Sequence, residues 1–165
     1  MKYYNTQIVF QEFPGEVTLA INISGCPNQC PDCHSKYLWN DVGEELNWDT
    51  LKNLIEKNSG ITCVGFMGGD QDPLLIKYLA QKIRMEYTLR IGWYTGIGHA
   101  LTMREMDFVK IGKYNSSYGG LDCPITNQIY LERQPDGDWR DATDKFWRSP
   151  KFVNPSDSEL QKLSK

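Results

Sequence analysis

Three cysteines stand close together near the start of the chain, Cys26, Cys30 and Cys33, in a C-x3-C-x2-C spacing. Three thiolates on one short loop can converge on one metal centre, and Pro27 and Pro31 stiffen that loop. An iron–sulfur cluster held by three cysteines, rather than the usual four, keeps one iron open for a substrate or cofactor. An open coordination site of this kind indicates catalysis.

Structural zinc and inert buried thiols are the other two interpretations of these cysteines. Structural zinc takes four protein ligands. The candidates for a fourth ligand are Cys63, Cys123, His34 and His99. The sequence has no second C-x2-C pair, so a zinc ribbon is not supported. Inert thiols would be an odd way to fill a core, because three of them lie within eight positions beside polar residues. The residues alone leave all three interpretations open.

A second candidate site is Gly68-Gly69-Asp70, which follows a short apolar run at 61–67. Two glycines allow the backbone to approach a ligand closely, and the carboxylate could accept a hydrogen bond from an ammonium group. A plain strand-to-helix turn would have the same sequence. The motif gains interest because it is predicted at the same edge of the sheet as the cysteine loop.

The elements that position these residues alternate between strand and helix. The patterns predict strands over 6–10, 17–23, 61–67, 88–94, 108–111 and 128–131, and helices over 48–57, from Pro73 to about 83, and over 99–106. The cysteine loop follows the second strand, at the carboxyl end where α/β sheets bind ligands. We therefore predict an α/β fold with a largely parallel, curved sheet, forming a partial (open) β/α barrel.

Length and composition limit the function classes. The chain has 165 residues, 40% of them hydrophobic and 24% charged, which excludes a wholly disordered chain. A complete eight-fold barrel needs roughly 200–250 residues or more. The net charge of −3 gives no basic footprint, so no nucleic-acid partner is expected. Neither a membrane-spanning run nor a signal peptide is evident, so a cytoplasmic protein without a membrane partner is expected. We predict one domain over 1–132 and a polar tail over 133–165.

The cysteine spacing, followed by a Gly-Gly-acid strand end, resembles the radical S-adenosylmethionine (SAM) enzymes. One further stretch, 108–128, reads FVKIGKYNSSYGGLDCPITNQ and is similar to a segment of the anaerobic ribonucleotide reductase activating proteins. Tyr94-Thr95-Gly96, the early cysteines and the short length agree with that family. The resemblance covers roughly 6–131 and implies a fold of the radical SAM type.

The resemblance implies a role for each candidate residue. Cys26, Cys30 and Cys33 would ligate a [4Fe–4S] cluster whose open iron binds SAM. The backbone around Asp32, Cys33 and His34 would lie beside the adenine. The amino-acid end of SAM would meet Gly68, Gly69 and Asp70. Lys110 and Lys113 could neutralise the SAM carboxylate, although solvated surface lysines are the plainer interpretation.

The implied reaction is reductive cleavage of SAM to methionine and a 5′-deoxyadenosyl radical. That radical would take a hydrogen atom from a glycine of the anaerobic ribonucleoside-triphosphate reductase, and a low-potential donor such as flavodoxin would supply the electron. An activase of another glycyl-radical enzyme, or another small radical SAM enzyme, is the nearest alternative. The alternative from another class is a zinc-binding protein-interaction module.

Two departures from the family pattern matter. The family often has an aromatic residue before the third cysteine, whereas this chain has Asp32, so an adenine contact would come from the backbone. The family often has proline directly after the Gly-Gly-acid motif, whereas Gln71 and Asp72 precede Pro73 here. Either Asp70 or Asp72 could therefore face the SAM amino group, and we favour Asp70.

Overall fold

A computed structural model describes residues 1–147, which form one sheet flanked by helices. The strands are β1 (Lys2–Val9), β2 (Thr18–Ile23), β3 (Glu44–Glu45), β4 (Cys63–Met67), β5 (Arg90–Thr95), β6 (Phe108–Ile111), β7 (Ile129–Arg133) and β8 (Trp139–Asp141). The helices are α1 (Trp48–Lys57), α2 (Pro73–Glu86) and α3 (Ala100–Met103), and two 3-10 turns span Lys36–Leu38 and Thr143–Phe146.

The sheet is mixed, with the strand order β3-β1-β2-β4-β5-β6-β7-β8. Within residues 1–147, the pairs β2–β4, β4–β5 and β5–β6 are parallel, and the other four pairs are antiparallel. The prediction of a largely parallel partial β/α barrel of the radical SAM type is therefore wrong. The antiparallel flanks explain the difference: β1 pairs as a hairpin with β2, and β7 and β8 return beside β6 without a crossover helix.

The parallel strand pairs lie at the centre of the sheet, where the strands are buried on both faces. Nearly all residues of β2 and β4 are buried, and such strands are apolar almost throughout rather than alternating. The chain between successive parallel strands contains α1, α2 or α3. Parallel strands need a crossover of this kind, because a tight turn cannot join them.

The two longer helices begin at side-chain caps. The Asn47 side chain accepts a hydrogen bond from the Thr50 N–H at the start of α1. The Asp72 carboxylate accepts one from the Leu75 N–H at 3.1 Å, directly before Pro73, which occupies the first turn of α2. In residues 1–147, no helix is both long and apolar enough to cross a membrane.

The sheet carries a core on each face. On one face α1 and α2 pack their buried residues against the central strands. On the other, Phe13 is fully buried beside Phe108 and Tyr130. Its ring occupies a notch made by Gly65 and Gly92, which are register partners on β4 and β5. A Cβ at Gly92 would overlap this ring, so the absence of side chains there lets the loop between β1 and β2 close onto the sheet.

The division at residues 132 and 133 stays a prediction. The segment predicted as a polar tail supplies β8, which pairs with β7, and the 3-10 turn Thr143–Phe146. Phe146 contacts the ring of Tyr130 edge-on, with ring centroids 4.9 Å apart. The remainder of that predicted tail, 148–165, lies outside the described residues.

Candidate functional site

The cysteine loop leaves the carboxyl end of β2 and is anchored at its start by backbone hydrogen bonds. Gly25 has φ +76°, in the left-handed region that favours glycine, and its N–H donates to the Asn40 carbonyl at 3.0 Å. The Cys26 N–H donates to the Leu38 carbonyl at 3.0 Å, and the Cys33 N–H donates to the Cys30 carbonyl at 2.9 Å. The first and third cysteines therefore both sit on fixed backbone.

Six of the eight predicted site residues line one cleft of about 1070 Å³: Cys26, Cys30, Cys33, His34, Gly68 and Asp70. All three cysteines are free and partly exposed. The cleft lies where the ends of β2, β4 and β5 meet, as expected for a ligand site of an α/β sheet.

The other two predicted residues face elsewhere. Gly69 is buried and faces α2, where a Cβ would lie 2.7 Å from the Ile76 side chain. Asp32 is exposed and accepts a hydrogen bond from the Ser116 hydroxyl at 2.6 Å.

Asp70 and Asp72 have different surroundings. Asp72 caps α2 and does not line the cleft, whereas Asp70 does. The Asp70 carboxylate is nearly buried and already has three donors. Its Oδ2 accepts from the Asn28 side-chain amide and, at 2.8 Å, from the Gly96 N–H, while its Oδ1 accepts from the Thr95 hydroxyl.

Gly68 is also tied to its neighbours. Its φ is +103°, and a residue with a side chain would be strained there. Its N–H donates to the Tyr94 carbonyl at 3.0 Å, and its carbonyl accepts from the Trp93 indole N–H at 2.8 Å. The turn after β4 is therefore held rigidly against β5.

Two lysines line the cleft, as does the segment that carries the family resemblance. Burial lowers the pKa of Lys110 to about 8, although negative charge on the three cysteines and Asp70 acts in the opposite direction. The Lys110 ammonium donates to the Gly112 carbonyl at 3.1 Å and lies 5.5 Å from the centre of the Tyr94 ring. Lys110 is thus a partly buried cation facing the cysteines, whereas Lys113 is exposed at the cleft margin.

The loop after β6 closes over the cysteine loop. The rings of His34 and Tyr114 lie with their centroids 5.0 Å apart, and Ser116 bonds to Asp32. Tyr114, Gly120 and Leu121 line the cleft, so the 108–128 stretch forms one of its walls.

The donor set suits an iron–sulfur cluster, because three free cysteines line one cleft and cysteine thiolates are the usual ligands of such clusters. The Ser35 N–H points at the Cys33 sulfur at 3.4 Å, which is the type of amide contact that stabilises cluster thiolates.

Most candidates for a fourth zinc ligand lie away from the cysteine loop. Cys63 is fully buried, and burial raises the pKa of its thiol. Neither Cys123 nor His99 lines the cleft, and His99 contacts the Thr102 hydroxyl at 2.9 Å instead. Of the four candidates, only His34 lines the cleft together with the three cysteines.

The sequence analysis does not identify Asn28 as a site residue, and it assigns no contact in the site to Thr95 or Gly96. Asn28 is one of two residues that separate Pro27 from Cys30, and no local pattern assigns it a partner. Thr95 and Gly96 are recognisable as a strand end and as part of the family resemblance, and neither signal assigns them a contact with Asp70. Their position along the chain is the signal that could have identified them, since polar or small residues that follow core strands meet at one edge of the sheet.

Comparison with protein families finds one family model, described as a 4Fe-4S single cluster domain, that matches residues 14–115. The matched range includes the three cysteines of the loop and the turn after β4. Comparisons with curated proteins and with solved structures gave no match.

Proposed function

Because the chain belongs to the family of 4Fe-4S single cluster domains and is an iron–sulfur protein, we propose that it activates anaerobic (class III) ribonucleotide reductase. In this proposal a [4Fe–4S] cluster and SAM are the cofactors, and the product is a glycyl radical on the reductase. The observation that carries the proposal is the single cleft that Cys26, Cys30 and Cys33 share with Gly68 and Asp70.

The proposal assigns the cluster to the three cysteines of the loop. Cys26, Cys30 and Cys33 would hold a cluster that, once reduced by a low-potential donor such as flavodoxin, would supply the one electron needed to cleave SAM to methionine and a 5′-deoxyadenosyl radical. Transfer of a hydrogen atom from a glycine of the reductase to that radical would give 5′-deoxyadenosine and the glycyl radical. The protein's own part is to hold these groups together and to limit the access of water.

A positive charge in the cleft supports a ligand that carries a carboxylate, such as the amino-acid end of SAM. Lys110 presents a partly buried ammonium that can attract a carboxylate. The turn formed by Gly68, Gly69 and Asp70 borders the same space and is assigned to that end of the ligand. The backbone from Asp32 to His34 is assigned to the adenine from the family resemblance, since Asp32 stands where the family often has an aromatic residue.

The rim of the cleft suits a protein substrate. Phe10 is 66% exposed and Trp147 is 43% exposed, and both line the cleft. Aromatic side chains are enriched in protein interfaces, and these two would contact a glycine-bearing loop of the reductase as it enters.

The mixed sheet does not resemble a radical SAM barrel, so the proposal rests on the cysteine spacing and the shared cleft. An activase of another glycyl-radical enzyme would need the same cleft. The 108–128 stretch favours the reductase, because it carries the resemblance to the reductase activases and lines the cleft through Tyr114, Gly120 and Leu121.

The test compares the wild-type protein with Cys30→Ala and with the matched control Cys123→Ala, since Cys123 does not line the cleft. Each protein is reconstituted anaerobically with iron and sulfide, reduced, and mixed with SAM and purified reductase. We expect the wild type and the control to form methionine, 5′-deoxyadenosine and a glycyl radical seen by electron paramagnetic resonance (EPR). Cys30→Ala should form none of them.

Full SAM cleavage by Cys30→Ala would refute the assignment of the cluster ligands. SAM cleavage by the wild type without a radical on the reductase would indicate another glycyl-radical enzyme or another substrate. About one zinc per chain and no sulfide would instead indicate the protein-interaction module.

A further inference from the structure

The Asp70 carboxylate joins three separate segments of the chain. Its hydrogen-bond donors are Asn28 in the cysteine loop, and Thr95 and Gly96 at the end of β5. Asp70 itself follows β4, and only 9% of its surface is exposed. A buried carboxylate accepting several hydrogen bonds makes stronger contacts than neutral partners would, so this junction is stiff.

The neighbouring residues support the same contact. Gly96 leaves room for Asn28, because a Cβ at position 96 would overlap the Asn28 amide group. The Gln71 side chain donates to the Ser24 carbonyl at 2.6 Å, directly before the cysteine loop begins. Asp70 and Gln71 therefore hold the loop at two points, one before Cys26 and one between Cys26 and Cys30.

We propose that Asp70 is a positioning residue, whose carboxylate holds Asn28 against the ends of β4 and β5 and so fixes the cysteine loop in place before a cluster binds. The inference rests on the proposed function only in its use of the loop as the cluster site. It gives the acidic residue of the Gly-Gly-acid motif a task within the protein, because its oxygens are already occupied by protein donors. Loop order and cluster uptake are therefore coupled through one side chain.

An amide cannot replace this carboxylate without conflict. The Thr95 hydroxyl oxygen accepts from the Ile97 N–H at 3.3 Å and the Gly98 N–H at 2.8 Å, so both of its lone pairs are used. In Asp70→Asn the new NH2 group would face either this oxygen or the Gly96 and Asn28 donors. The first orientation loses one hydrogen bond at the junction, and the second loses two.

The first measurement is amide hydrogen exchange of the protein before iron is added, in wild type and in Asn28→Ala. Because a hydrogen bond to a charged group is lost, we expect the Cys26 and Cys33 amides to exchange about ten-fold faster or more. Amides of β4 should keep their wild-type rates. Asn58→Ala is the matched control, since Asn58 donates to the Leu54 carbonyl at the end of α1 and should leave the loop unchanged.

Asp70→Asn tests the other side of the junction and should accelerate the same loop amides. The double variant Asn28→Asp/Asp70→Asn swaps the two side chains and restores a donor–acceptor pair between the two positions. The amide at position 70 would donate to the carboxylate at position 28 but would still face the Gly96 N–H. The loop amides should therefore exchange more slowly than in either single variant without reaching the wild-type rates, and iron and sulfide binding should recover in part. If Asp70 had a merely structural role, the single variants would instead change amide hydrogen exchange in β4 and lower global stability. The double variant would then not rescue iron binding.

Wild-type rates for the Cys26 and Cys33 amides in Asn28→Ala would overturn the proposal. Equal acceleration in β4 and the loop would also overturn it, because the effect would then be global unfolding. Failure of the proposed function looks different, since the wild-type protein would then form no 5′-deoxyadenosine or no radical on the reductase while the hydrogen-exchange results stood unchanged.

Discussion

Replacing Phe13 with alanine should lower the free energy of unfolding by about 3–5 kcal/mol, the range for deleting a fully buried phenyl ring. The ring is 0% exposed and lies 5.3 Å from the Tyr94 ring and 5.6 Å from the Phe108 ring, centroid to centroid. Each aromatic pair adds about 0.5–1.5 kcal/mol beyond burial, so the upper part of the range is expected. The loop that carries Phe13 also lines the cleft, so its loss should loosen that wall.

The same packing predicts that Phe13 and Gly92 are energetically coupled. Gly92→Ala alone should cost about 1–3 kcal/mol, because the new methyl group overlaps the ring. In the Phe13→Ala background the vacated space admits that methyl group. The double variant should therefore be less destabilised than the sum of the single variants by about 1–3 kcal/mol.

Urea denaturation of the four proteins in this cycle gives the coupling energy. Leu54→Ala is the control partner, because Leu54 packs with the helix-side core on the other face of the sheet. Its effect should add to that of Phe13→Ala within about 0.5 kcal/mol. Additive behaviour of Phe13→Ala and Gly92→Ala would refute the notch as the reason for glycine at these strand positions.

Two further predictions concern single side chains. In the folded protein before cluster loading, a thiol reagent should modify at most four of the five cysteines. Cys63 should stay unmodified, because it is fully buried and burial raises the pKa of its thiol. Early reaction of Cys63 in a peptide map would contradict this. Asp107→Ala should cost about 1.5–3 kcal/mol in urea denaturation, because Asp107 accepts from Arg84 at 3.0 Å and from the Ile91 N–H at 2.8 Å, and a change below about 0.5 kcal/mol would contradict this.

The centre of the fold is predictable because its signals are local. Helix α1 has the range predicted from its apolar spacing, and α2 begins at Pro73 as expected from proline in a first helical turn. The strand Phe108–Ile111 also matches its prediction. Each of these segments carries its own periodicity or cap, so no distant contact is needed to identify it.

The sheet edges are not predictable in the same way. Strand β3 consists of two exposed glutamates, and β8 is Trp-Arg-Asp within a polar segment. Neither has an alternating apolar pattern, so neither is recognisable as a strand from its own residues. Strand β3 pairs with β1, which is distant in sequence, whereas β8 pairs with β7 across a short turn. The antiparallel pairing of β7 with both β6 and β8 is the part of the sheet that the strand–helix alternation did not predict.

The candidate site likewise has a part that the sequence predicts and a part that it does not. The cysteine spacing and the two glycines after β4 are readable, since they lie within short stretches of sequence. The partners of Asp70 are not, because Asn28 is 42 residues away in sequence and Thr95 is 25 residues away. Phe13 looks like part of a turn with Pro14 and Gly15, and only the glycines on β4 and β5 indicate that its ring is buried.

EPR of the anaerobically reconstituted and reduced protein, recorded with and without SAM, tests the central claim most directly. We expect a reduced [4Fe–4S] signal that changes when SAM is added, because three cysteine ligands leave one iron open to it. A cluster signal that does not respond to SAM would contradict SAM binding and indicate a closed electron-transfer cluster. Retention of zinc with no cluster would contradict the assignment of the cysteine loop itself.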